Sequence, residues 1–178
     1  MRRLLALLLV IPLAAAPSRA RIDPSPVAVE VTPACCTITL TAYMLGLFPL
    51  EGRFSAFSGR LEVPAGGGPA RAEVRIDAAS LVLDDGPIEA DVKAPHFLDV
   101  AHHRHIMFRG EATAAGGQTL QRLLTIRGVT LPVSLSLRED GGRIIAETRI
   151  SRSAYGITAR PVLAGDTIRI RVIASLPR

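Results

Sequence analysis

Leu124-Thr125-Ile126-Arg127-Gly128-Val129-Thr130-Leu131-Pro132-Val133 is the stretch that decides the fold, and Ser151-Arg152-Ser153-Ala154-Tyr155-Gly156-Ile157 echoes it downstream. Locally it reads as a strand, a glycine-centred corner and a second strand. The β-branched pair Thr125-Ile126 favours a pleated surface, and Gly128 supplies backbone freedom where the chain turns. Pro132 has no N–H for a ladder, so it suits a strand start or a sheet edge.

Working outward, two-residue alternation dominates the chain. Ile38, Leu40 and Ala42 alternate with threonines, and Ala72, Val74 and Ile76 with Arg71, Glu73 and Arg75. Ile144, Ala146, Thr148 and Ile150 repeat the pattern, as do Ile168, Ile170, Val172, Ala174 and Leu176. Such runs mark strands with one buried and one wet face. Turn signals separate them at Pro64–Pro69, Asp84–Pro87, Ala115–Gly117 and Asp140–Gly142. About eight strands at this spacing predict an antiparallel barrel or sandwich. Residues 88–98 lack alternation and read as a short helix or irregular excursion.

Arg2 and Arg3, the apolar run Leu4–Leu13 and the small residues of Ser18-Arg19-Ala20 predict a secretory signal peptide over 1–20. The apolar run is short for a membrane span. The remaining residues, 21–178, suit one domain with a single core. Removing Arg2, Arg3 and Arg19 leaves 18 cationic against 16 acidic side chains, a net charge of +2. The arginines are scattered and Lys93 is the only lysine, so no nucleic-acid patch is expected.

Alternation alone leaves open which face points inward. In a membrane barrel the apolar face meets lipid; in a ligand-holding barrel it lines the lumen. With no Trp and 4% aromatics the chain lacks material for two aromatic girdles, which favours the apolar lumen.

Chemistry is sparse. Cys35 and Cys36 are adjacent, too close for a relaxed disulfide, and read as small residues near a strand start. His96, His102, His103 and His105 read as solvated loop residues without metal-site spacing. Asp77, Asp99 and Asp166 stand where carboxylates accept from backbone donors. No G-x-S-x-G elbow occurs, and no catalytic residue, metal or cofactor is expected.

Five segments, spread over Val27 to Leu176, carry a family resemblance. With Leu124–Val133 stand Glu51–Leu61 (G-x-F-x-x-F-x-G) and Arg75–Leu81 (I-D-x-x-S). Phe97-Leu98-Asp99-Val100 with Ile106-Met107-Phe108, and Arg152–Gly156 (R-S-x-Y-G), complete the set. The chain resembles the YceI-like family of lipid (polyisoprenoid) binding proteins. The resemblance implies an all-β fold, an eight-stranded antiparallel lipocalin-like β-barrel, periplasmic or secreted, whose apolar pocket holds a polyisoprenoid or similar amphiphilic chain. The expected lumen comprises Leu40, Tyr43, Phe54, Phe57, Phe97, Phe108, Ile126, Tyr155, Ile170 and Val172, about half of them packed core, with Arg127 and Arg152 toward a head group. A homodimer is compatible with this reading, and stable membrane insertion is not expected. Alternatives are an enzyme of isoprenoid or lipid metabolism using the same pocket, and a small outer-membrane barrel. The sequence departs from the family pattern at Cys35-Cys36 and Tyr43, at Arg122-Leu123 and at His103-Arg104.

Overall fold

The computed structural model describes residues 27–63, 69–113, 119–160 and 163–175. The predicted signal peptide and Leu176 lie outside the described residues. Twelve strands appear: β1 (Val27–Val31), β2 (Cys36–Met44), β3 (Phe48–Phe54), β4 (Phe57–Val63), β5 (Pro69–Asp77), β6 (Leu81–Leu83), β7 (His105–Thr113), β8 (Thr119–Ile126), β9 (Val129–Pro132), β10 (Ser136–Asp140), β11 (Arg143–Ser151) and β12 (Thr167–Ser175). They form two six-stranded antiparallel sheets, ordered β1-β4-β5-β7-β8-β9 and β10-β11-β12-β2-β3-β6.

The all-β antiparallel class stands, and the strand count is explained by bending. Four chain runs pass from one sheet to the other: β1 into β2, β3 into β4, β5 into β6, and β9 into β10. Taken through these corners, the twelve strands reduce to eight runs. Each run pairs with the next in sequence, and β12 pairs back onto β2. The ring is therefore an eight-run meander whose hydrogen bonding is interrupted at the corners. Bends break a strand locally, so a pattern of alternation counts runs and not ladders.

The corners have local causes. Between β8 and β9 the turn is two residues, Arg127 (φ +50°) and Gly128 (φ +76°). Two left-handed central residues are the requirement of a type I′ hairpin. Pro132 closes β9, the edge of its sheet, rather than opening a strand. Between β5 and β6, Asp77 caps a 3-10 turn over Ala78–Ser80 by accepting from Ala79 N–H at 3.0 Å.

The excursion is a helix, α1 (Gly86–Lys93), and it starts earlier than the expected 88. Asp85 accepts from Ile88 N–H at 3.1 Å as N-cap, and Pro87 sits in the first turn. The Asp-Gly-Pro signal taken for a turn is thus the helix start. Residues 94–104 follow as turns.

The buried core includes Ile38, Phe54, Phe57, Ile76, Leu81, Phe97, Ile106, Ile126, Tyr155 and Ile157. Much of it gathers where the strands bend.

Candidate functional site

Strand alternation fixes what enters the ring of strands, and the register shows a gradient along it. On paired β5 and β7 the inward positions run from Ile76 opposite Ile106, to Val74 opposite Phe108, to Ala72 opposite Gly110. The first pair is buried and the next two are half-buried. On β2 the sequence is Ile38, Leu40, Ala42, again passing from buried to half-buried. Ala146 of β11 lies opposite Val172 of β12, and both are half-buried.

Alanines carry the most information here. Ala42, Ala72, Ala146 and Ala174 occupy inward positions and are only half-buried. An alanine facing a filled core is sealed by its neighbours. They are covered less than Ile38, Ile76 and Ile106, so the inward face runs from a packed floor to a half-buried apolar stretch.

The outer faces are charged. Arg71 pairs with Glu111 at 3.0 Å, Arg109 with Glu73 at 3.4 Å and Arg171 with Glu147 at 2.6 Å. A lipid-embedded barrel has the opposite polarity. A recess of about 380 Å³ lies on this outer surface, lined by Glu30, Arg60, Glu73, Arg75 and Arg109 among others. Its charged walls suit water and ions, not an apolar chain.

The expected lumen residues divide accordingly. Phe54, Phe57, Phe97, Ile126 and Tyr155 are buried and build the floor. Leu40, Ile170, Val172 and Phe108 are half-buried on the inner face. The Phe108 ring lies over Gly110, where a methyl group would approach within 2.9 Å of it. Tyr43 is on the other face: it shares the outward parity of Thr39 and Thr41 and is 37% exposed. An aromatic residue on an alternating strand goes where parity sends it, whatever its hydrophobicity.

Neither Arg127 nor Arg152 offers its guanidinium to a ligand head. Arg127 Nη1 donates to the carbonyl of Phe97 at 2.8 Å. Arg152, 6% exposed, donates from Nε to Gly165 O, from Nη1 to Ile157 O and Ala159 O, and from Nη2 to Ala164 O, all within 3.0 Å. Both hold chain segments in place.

Arg122 is a cation at an inward position outside the expected lumen set. It lies two and four residues before the inward Leu124 and Ile126, opposite Gly110, and Nη1 donates to Leu135 O at 2.6 Å. Two-residue counting from Ile126 locates it. Thr148, also inward, has a buried hydroxyl that no group among the described residues meets.

The remaining titratable groups are local. Cys35 and Cys36 hold their Sγ atoms 3.0 Å apart. The contact with Cys36 lowers the Cys35 thiol, while burial pushes the Cys36 thiol up to about 12. Among the described residues, no group of three or more His, Cys, Asp or Glu converges as metal ligands. His96 meets Asp91 at 2.8 Å and His102 meets Asp99 at 2.8 Å.

Asp99 has a left-handed backbone (φ +50°), and its contact with His102 holds its carboxyl below the ordinary carboxylate range. A carboxyl with a depressed folded pKa adds stability that is complete above the unfolded value of about 4, and it is lost as pH falls through the folded one. Asp99→Asn keeps a residue tolerant of the left-handed region and removes the titration. Urea unfolding of this variant is expected to depend less on pH than wild type between about pH 5 and 2; identical pH profiles would show that the contact adds nothing.

An eight-run antiparallel β-ring with a packed floor, a charged exterior and a half-buried apolar inner face is the architecture of a small β-barrel. The chain belongs to the YceI-like domain family, whose model matches residues 22–176. Three solved structures share its fold. Burkholderia cenocepacia BcnA has a TM-score of 0.66 at 22% identity, covering 80% of this chain and 97% of BcnA. A polyisoprenoid binding domain from Saccharophagus degradans, implicated in plant cell wall breakdown, has a TM-score of 0.62 at 14% identity, with coverages of 84% and 97%. The Campylobacter jejuni YceI protein has a TM-score of 0.53 at 17% identity, with coverages of 71% and 85%. No curated protein matches the sequence. No helix among the described residues is long and apolar enough to cross a membrane.

Proposed function

We propose that this protein is an exported carrier that holds a polyisoprenoid, or a similar amphiphilic lipid, inside its ring of strands. Residues 1–20 serve as the signal peptide, and the mature chain works in the periplasm or outside the cell. The observation carrying this reading is the half-burial of inward Leu40, Ala42, Ala72, Val74, Phe108, Ala146, Ile170 and Val172 above a sealed floor. An apolar chain entering that space gains about 0.8 kcal/mol per methylene-sized group removed from water. The Saccharophagus degradans relative, described as a polyisoprenoid binding domain, supports the same ligand class. The reading is of a binding protein and assigns no catalytic residue.

Native mass spectrometry of protein purified from its own host, followed by lipid extraction, tests the proposal. A bound prenyl lipid is expected; protein that carries no lipid and binds no added prenyl chain sinks it. Ala146→Phe projects a ring into the interior from β11. It is expected to weaken binding of a fluorescent prenyl analogue at least about tenfold, since displacing two methylene-sized groups suffices. Unchanged affinity in a folded variant would place the ligand elsewhere.

A further inference from the structure

The connection between β2 and β3 is the most apolar exposed feature of the described residues. Residues 43–50 read Tyr-Met-Leu-Gly-Leu-Phe-Pro-Leu, without a charge or an amide side chain. Leu45 is 54% exposed, Leu47 76% and Phe48 58%, and Leu163 on the adjoining loop is 49% exposed. Large apolar side chains grouped in this way mark an interaction site.

Three properties identify the occupant as a lipid bilayer. First, the feature is a hairpin end, not a groove, and so presents side chains to an insertion medium rather than receiving a partner's. Second, three backbone N–H groups at and beside the tip are paired within the protein. Leu45 N–H donates to Leu163 O at 2.9 Å, Leu47 N–H to Met44 O at 3.0 Å, and Gly165 N–H to Tyr43 O at 2.8 Å. Unpaired backbone donors exclude a segment from hydrocarbon, and these are paired. Third, the tip continues the apolar inner face. Ile38, Leu40, Ala42 and Met44 on β2, with Phe54, Leu50 and Phe48 on β3, form one track from the buried floor to the exposed end. Gly52 interrupts it only nominally, because Leu83 fills the space where its side chain would be.

We infer that the Tyr43–Phe48 hairpin docks reversibly into the apolar surface layer of a bilayer, so that a lipid chain passes between membrane and interior along this track. The inference rests on the carrier reading for its purpose but not for its test. Docking is peripheral: the charged outer faces of both sheets keep the body of the protein in water. With no charge on the tip, attachment depends on apolar burial and resists salt.

Flotation of the mature protein with phosphatidylcholine vesicles tests it, with Leu45→Asp,Leu47→Asp as the variant. Both side chains are exposed and neither belongs to the inward track, so folding and prenyl loading in vesicle-free solution are expected to stay at wild-type levels. Wild type is expected to float with the vesicles to the same extent at about 0.1 M and about 1 M salt. The variant is expected to lose at least about tenfold in the floated fraction. Wild type that does not float, a variant that floats equally, or flotation abolished by high salt overturns the inference. A wild-type dimer that the substitutions split into monomers also overturns it, since the patch is then a contact between copies. Failure of prenyl loading in wild type, with salt-resistant flotation intact, counts against the carrier reading and leaves tip docking standing.

Discussion

Arg152→Ala is expected to destabilise the protein by at least about 3 kcal/mol, because it leaves several buried carbonyls without donors at once. The guanidinium of Arg152 is enclosed and meets four main-chain oxygens, those of Ile157, Ala159, Ala164 and Gly165. Its own N–H donates to Asp166 O at 2.9 Å, and its Cζ lies 5.9 Å from the centre of the Phe97 ring. One planar group thus gathers the chain between the 3-10 turn at Ser153–Tyr155 and β12. Arg152→Lys is expected to recover little, since a single ammonium cannot present the guanidinium's fork of donors. Urea unfolding of both variants decides the matter: a midpoint within about 0.5 kcal/mol of wild type for Arg152→Ala would end the structural reading. The same variant should loosen the hairpin tip, because Leu163, the acceptor for Leu45 N–H, lies in the segment that Arg152 holds.

Leu81→Ala is expected to cost about 2–5 kcal/mol. Leu81 has no exposed surface and stands opposite Phe54 where β6 pairs with β3. The cavity it leaves is bounded by two strands and the packed floor, so relaxation into it is restricted and the upper part of that range is expected. Calorimetric or urea unfolding measures the loss. A loss below about 1 kcal/mol would mean the floor repacks readily, and the contrast between packed floor and half-buried inner face would fail with it.

Much of the architecture is legible in the residues. The alternation in β2, β5, β11 and β12 gives the antiparallel strands and, once parity is counted, most of the inner face. The L-T-I-R-G-V-T motif proves to be a two-residue hairpin, with Arg127 and Gly128 in the left-handed region. The corners are less visible, because a bend is a local break in pairing and leaves the periodicity on either side intact. Asp85 was legible as a turn former but not as a helix cap, since both uses place a carboxylate before backbone N–H groups.

The site divides in the same manner. Leu40, Phe108, Ile170 and Val172 were reachable from alternation, and Arg122 was reachable by the same counting. Tyr43 stands outside because its place on β2 has outward parity, which outweighs the apolar character of its ring. The structural role of Arg152 is not legible in the sequence, because its four acceptors come from a loop up to thirteen residues downstream and no local pattern encodes that convergence.

The sequence by itself determines that this chain is a meander of antiparallel strands with one apolar and one charged face, because a period of two is written in successive residues. It cannot determine which face is inside, since alternation is symmetric between the two. Ring formation through the four bent runs decides that question, placing Ile38, Ile76 and Ile126 at the floor and Arg71, Arg109 and Arg171 outside. The tertiary structure also decides which inward residues are buried in the floor and which stay half-buried, because that depends on the side chains facing one another across the ring rather than along the chain.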